Sequence, residues 1–151
     1  MTERLDKVDY YMKLAEFVKE RSTCITKVGA VLTSKDGRVL STGYNGAISK
    51  APHCIPGGCL KYKNHCVNTV HAEMNCLLFL QHKESDMIIY STHQPCLNCF
   101  KGLLQAGVTR IYYKEPYDDP ARELLVKRLY SSGLLIVVEG PTYRGYEFGG
   151  T

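Results

Sequence analysis

The chain has 151 residues, 44% of them apolar, and a formal net charge of +4. That length and composition suit one domain around a single hydrophobic core and exclude a disordered or repetitive chain. The positive charge is mild and forms no block of like charges, so a nucleic-acid surface is not expected, whereas a small anionic substrate such as a nucleotide is compatible with it.

The opening stretch, MTERLDKVDYY, is charged and lacks the apolar run of a secretory leader. The longest aliphatic run, Leu134 to Val138, is too short to span a bilayer. A cytoplasmic protein without a membrane partner is the expectation. Residues 6–21 predict an amphipathic helix with Val8, Tyr11, Met12, Ala15 and Val18 on one stripe. Two β-runs follow, over 27–33 and 38–42, with Lys35-Asp36-Gly37 as the turn between them. The second run enters Gly43-Tyr44-Asn45-Gly46, which reads equally as an ordinary turn or as a loop where backbone approaches a ligand.

Residues 47–70 read as an irregular segment that crowds His53, Cys54, Cys59, His65 and Cys66 together. Seven cysteines in a chain with no secretory leader point to metal ligands before disulfides. A loop this long needs something to order it, and a second, structural zinc could do so through Cys24, Cys54, Cys59 and Cys66. His65 competes with Cys66 and His53 with Cys54, because sequence neighbours rarely both reach one ion. The bland alternative is a set of reduced, partly buried thiols with no metal.

A helix is predicted over 70–82, with Met74, Leu77, Leu78 and Gln81 a turn apart and Cys76 as core filler. It carries His71 and Glu73 in its first turn. A short strand over 87–91 leads to Pro95, which suits the first turn of a helix over 96–106. Both thiols of Pro95-Cys96-Leu97-Asn98-Cys99 then sit at a helix N-terminus, which favours thiolate. Gly107 ends that helix. A strand over 108–114, a helix over 119–130 stopped by Gly133, and a strand over 134–139 complete the reading. The tail from Gly140 yields no element. Strands alternating with helices after position 70 imply parallel crossovers behind an antiparallel hairpin. The expected fold is a three-layer α/β/α sandwich around a five-stranded mixed sheet, one domain over 1–151, with the His71 and Cys96 helices on one face.

His71, Cys96 and Cys99 offer three ligands for a tetrahedral zinc and leave the fourth position open, as catalytic sites do. Glu73 lies two residues beyond His71 and need not share the metal, so it is placed to handle protons. This H-x-E…P-C-x-x-C pattern is the signature of zinc nucleobase deaminases. A redox Cys-x-x-C would need neither His71 nor Glu73, and a closed structural zinc would want a fourth Cys or His.

The chain resembles deoxycytidylate (dCMP) deaminases of the bacterial and phage type, in the cytidine deaminase superfamily. The resemblance runs from about Arg21 to about Leu125. It rests on RSTC at 21–24, VGAVL at 28–32, GYNG at 43–46, the HC…GC…HC loop, HAEMN at 71–75, PCLNC at 95–99 and QAGV at 105–108. It implies a cytidine deaminase-like fold and hydrolysis of dCMP to dUMP and ammonia, feeding thymidylate synthesis. It further implies catalytic zinc on His71, Cys96 and Cys99, with Glu73 carrying a proton to N3 of cytosine and then to the departing amine. The main chain of Ala72 would meet the exocyclic amino group, Asn45 the deoxyribose or base, and Tyr117 the sugar and phosphate. Relatives form hexamers activated by dCTP and inhibited by dTTP. That makes Lys27, Asn45 and Gly46 candidates for a nucleotide effector site, with Mg2+ on a bound dNTP. Two alternatives stay open: another zinc deaminase, acting on cytidine, guanine or a base in a polynucleotide, and a noncatalytic zinc-scaffold binding module. The intact Glu73 speaks against the scaffold.

Overall fold

Asp6 opens the first helix: its carboxylate accepts the Val8 N–H at 3.1 Å, the usual N-cap arrangement. Helix α1 (Lys7–Val18) continues as a 3-10 turn over Lys19–Arg21. The computed structural model describes residues 3–149; Met1, Thr2, Gly150 and Thr151, which the expected domain includes, lie outside the described residues.

Strands β1 (Gly29–Thr33) and β2 (Val39–Tyr44) form the predicted hairpin. Its turn closes through the Gly37 N–H to the Ser34 carbonyl at 3.1 Å, with Gly37 at φ +94°. Helix α2 (Ala72–Leu78), strand β3 (Met87–His93), helix α3 (Leu97–Ala106), strand β4 (Val108–Glu115), helix α4 (Pro120–Ser131), and strands β5 (Leu135–Glu139) and β6 (Arg144–Phe148) follow. Between β2 and α2 the chain makes one helical turn, Cys54–Gly57, and four two-residue strands.

The sheet has six strands in the order β2-β1-β3-β4-β6-β5, one more than expected. β6 is the addition, from the tail that yielded no element. It runs antiparallel to both β4 and β5, with Tyr146 opposite Ile111 and Val137. A crossover through α4 therefore skips one strand, and β6 fills the gap. Among the described residues only β3 and β4 pair in parallel. Three layers result, as the expected α/β/α sandwich requires. α1 covers one face through Val8, Tyr11, Met12 and Ala15 against Val31, Ile88, Tyr90 and Tyr112. α2, α3 and α4 cover the other through Ala72, Cys76, Phe100, Leu103 and Val126 against Leu32, Ile89 and Ile111. The alternation of neighbouring strand residues between the two faces follows from the period-2 pleat.

Helix α2 is shorter than predicted and turns a different face to the sheet. Its buried side chains are Ala72, Glu73 and Cys76, while Leu78 is exposed. The reason is close approach: a Cβ on Gly43 would sit 2.3 Å from the Ala72 carbonyl oxygen and 2.8 Å from the Cys76 nitrogen. Small residues on both sides let the helix backbone lie directly on β2. Among the described residues no helix is long and apolar enough to cross a membrane.

Candidate active site

His71 is the N-cap of α2 and Cys96 the N-cap of α3, and neither side chain caps its own helix. Ser, Thr, Asn or Asp would turn inward at those positions to accept backbone N–H bonds. His and Cys leave their side chains free to face each other. Nδ1 of His71 lies 3.4 Å from the Sγ of Cys96 and 3.4 Å from the Sγ of Cys99. Tetrahedral zinc bonds to nitrogen and sulfur would put N and S about 3.6 Å apart, so the donor set fits that ion. Two helix N-termini point their partial positive charge at this corner, where thiolates gather.

The electrostatics agree. The Cys96 thiol is pulled down to about 4, first by its hydrogen bond with the Cys99 thiol and further by His71 and the Cys99 backbone N–H. The Cys99 thiol is pushed up, chiefly because it shares its proton with the Cys96 thiolate. His71 is raised by the same Cys96 thiolate. The trio therefore carries protons that a divalent cation displaces on binding. Glu73, 4% exposed, is raised to about 7 by burial. A carboxyl held near neutrality can both take and give a proton at working pH.

His71, Glu73 and Cys96 open onto a cavity of about 380 Å³, within the range of small-ligand sites. It lies beyond the carboxyl end of β3, whose last residue, His93, and following Gln94 line it beside Ala72, Glu73, Asn45 and Tyr117. All three substrate candidates thus share one cavity. Asn45 is largely committed to its surroundings: Oδ1 accepts from the Val28 N–H at 2.9 Å and the Ser22 hydroxyl at 2.7 Å, and Nδ2 donates to the Thr26 carbonyl at 2.7 Å. Lys27 pairs with Glu20 at 3.8 Å, and Gly46 pairs with Val70 in a short ladder; neither lines the cavity. Sequence reading missed His65, His93 and Gln94 as wall residues. For His93 and Gln94 the signal was adjacency to Pro95.

The Cys-rich loop gathers a second group. Cys54, Cys59 and Cys66 bring their sulfurs within 4.8 Å of one another, with Cys54 and Cys66 3.6 Å apart. Cys24 is not in this group. Its thiol reaches the Thr69 hydroxyl at 3.2 Å, which also meets Cys66 at 3.2 Å. His53 turns to the Thr23 hydroxyl at 2.7 Å and His65 to the Tyr117 hydroxyl at 3.4 Å, so the cysteines take the competition in both sequence pairs. Cys66 is lowered to about 6, first by its bond with Thr69, and Cys59 is raised to about 11 by Cys66.

One His and two Cys beside a buried carboxyl, at the N-termini of two helices on a mixed sheet, define an α/β protein with three side chains gathered closely enough to hold a metal ion. The chain belongs to the cytidine and deoxycytidylate deaminase family: residues 5–115 match its zinc-binding region. It is 40% identical over 119 residues to ComE operon protein 2 of Bacillus subtilis (strain 168), across 76% of this chain and 62% of that protein. It thus spans less than two thirds of that relative. It is 36% identical over 127 residues to the deoxycytidylate deaminase of Mycobacterium phage D29, across 73% of this chain and 95% of the phage protein. Among solved structures, the dCMP deaminase of cyanophage S-TIM5 in complex with dCMP and dUMP superposes with a TM-score of 0.70 at 29% identity, covering 85% of this chain and 95% of that one.

Proposed function

We propose that this chain deaminates dCMP hydrolytically, dCMP + H2O → dUMP + NH3. The observation that carries the reading is Glu73, a buried carboxyl raised toward neutrality, which shares a cavity of about 380 Å³ with His71 and Cys96, two of the three residues of the His71–Cys96–Cys99 ligand set. Zinc held by those three residues supplies Lewis-acid activation of water at neutral pH. Glu73 accepts a proton from the attacking water and delivers it to N3 of cytosine, then takes the proton of the new C4 hydroxyl and passes it to the departing amine as the C4–N bond breaks and the C4 carbonyl forms. As the first residue of α2, Ala72 offers main-chain groups to the base at the helix start. Asn45 and Tyr117 are assigned to the base or deoxyribose and to the sugar and phosphate. The names of the phage relatives and the cavity size support dCMP as substrate.

Three finer assignments belong to the same proposal. Cys54, Cys59 and Cys66 hold a second, structural zinc, supported by their mutual spacing. A dNTP with Mg2+ acts at Lys27, Asn45 and Gly46, dCTP raising and dTTP lowering activity, in a cytoplasmic homohexamer; the GYNG resemblance supports this part. Ammonia release from dCMP, deoxycytidine, CMP and a short single-stranded oligonucleotide, each with and without dCTP or dTTP, tests the set. Turnover confined to dCMP is expected, raised by dCTP and lowered by dTTP. Turnover of the nucleoside or oligonucleotide instead overturns the substrate assignment, and no turnover with zinc bound favours the scaffold module.

A further inference from the structure

Arg122 stands on α4 and lines no part of the cavity, yet it is 2% exposed, the sole buried Lys or Arg among the described residues. A guanidinium cannot shed its charge, so it is tolerated inside only when its donors are met. Four hydrogen bonds meet them. Nη1 donates to the Pro95 carbonyl at 2.9 Å, Nη2 to the Tyr117 carbonyl at 2.7 Å, and Nε and Nη2 to the Glu123 carboxylate at 3.1 and 2.9 Å.

The two carbonyls are informative choices. The Pro95 carbonyl belongs to the peptide plane that enters Cys96. The plane that leaves Cys96 is held too: the Leu97 N–H donates to Asp119 Oδ2 at 2.8 Å, and the Cys96 carbonyl accepts from the Phe100 N–H at 2.8 Å. Because each peptide unit is rigid, fixing both flanking planes fixes φ and ψ of Cys96 and the direction of its Cα–Cβ bond. Tyr117 is held the same way. Its N–H donates to Gln94 Oε1 at 2.9 Å and its carbonyl accepts from Arg122. Asp119 also caps α4, through Oδ1 to the Arg122 N–H at 3.3 Å. One network centred on the buried guanidinium therefore aims a candidate metal ligand and a cavity-wall side chain from the start of a helix that contributes neither.

We propose that Arg122 is a positioning residue: its planar fork holds Cys96 and Tyr117 in one fixed relation, and metal retention depends on it. Lysine would keep the charge but could not reach both carbonyls in that geometry.

The test uses the zinc-loaded chain and its Arg122→Gln and Arg122→Lys variants, with Arg128→Gln, an exposed cation on the same helix, as control. Zinc retention is read by competition with a chelator, beside circular dichroism and the thermal midpoint. Outer-sphere partners of metal ligands are generally worth about 10- to 100-fold in metal affinity. That loss is expected in both Arg122 variants while they remain folded, with no change in Arg128→Gln. A raised KM for dCMP should accompany it, a readout that rests on the proposed reaction; zinc retention does not, so the two readings fail separately. Wild-type zinc retention with only a lowered midpoint would overturn the proposal, since Arg122 would then brace the fold alone. If Arg122→Gln does not fold, Arg122→Lys decides by the same two readings.

Discussion

The two thiol groups differ in what holds them. His71, Cys96 and Cys99 stand at the N-termini of two helices packed on the sheet, next to residues such as Ala72, Cys76 and Phe100 that are fully buried. Cys54 stands on a single helical turn, Cys66 on a two-residue strand and Cys59 in the loop between them, amid exposed Leu60, Tyr62 and Val67. The first group is preorganised by the core, so a metal held there would be free to do chemistry. The second has little core beneath it, so a metal there serves to order the loop. The wall of the cavity links them: Cys66 follows His65, whose ring meets the Tyr117 hydroxyl.

Substituting one thiol in each group should break the comparison most visibly. Cys96→Ser is expected to lose the metal of the first site and with it all measurable ammonia release. Cys66→Ser should lower zinc by one equivalent per chain, reduce the thermal midpoint and leave the first site loaded. Metal analysis beside thermal melts checks both; retention of full zinc in Cys66→Ser would rule out the second site.

The packing beneath the first site can be probed at GYNG. Gly43→Val should cost about 1–3 kcal/mol by overpacking, because its Cβ would collide with the Ala72 carbonyl. Gly46→Ala should be nearly neutral, since the added Cβ would meet nothing closer than the Tyr44 ring at 4.0 Å. Urea titration of both separates support of α2 from loop geometry.

The smallest effect concerns Asp119. Burial acts to raise its carboxyl, but the N–H groups of Leu97 and Arg122 outweigh it and hold it below the ordinary value. A depressed folded value means stability that is present above the unfolded pKa of about 3.9 and lost as pH falls through the folded one. Asp119→Asn should therefore be less stable than wild type near pH 7, by at most about 1 kcal/mol, and the gap should close below about pH 4. Denaturant midpoints across that range check it; a gap that persists in acid would contradict the assignment.

Much of this is legible in the chain because the signals are local. Pro120 after Asp119, Gly107 and Gly133 mark helix ends by backbone chemistry alone, and His71, Glu73, Cys96 and Cys99 announce themselves by spacing. β6 is hidden because Gly140, Pro141 and Gly145 read as loop, while Gly145 is required where a Cβ would meet the Ile111 carbonyl oxygen at 2.3 Å. The buried face of α2 escapes the periodicity because small residues, not large ones, face the sheet there. Arg122 gives no signal at all, since its partners are mostly backbone carbonyls that any sequence possesses.

The most direct measurement is ammonia release from dCMP by wild type and Glu73→Gln, with zinc determined in the same samples. Equal zinc with turnover reduced about 10²- to 10⁴-fold in Glu73→Gln is the predicted result. Equal zinc with equal turnover would contradict the proposed chemistry, because the buried carboxyl would then have no part in moving the proton.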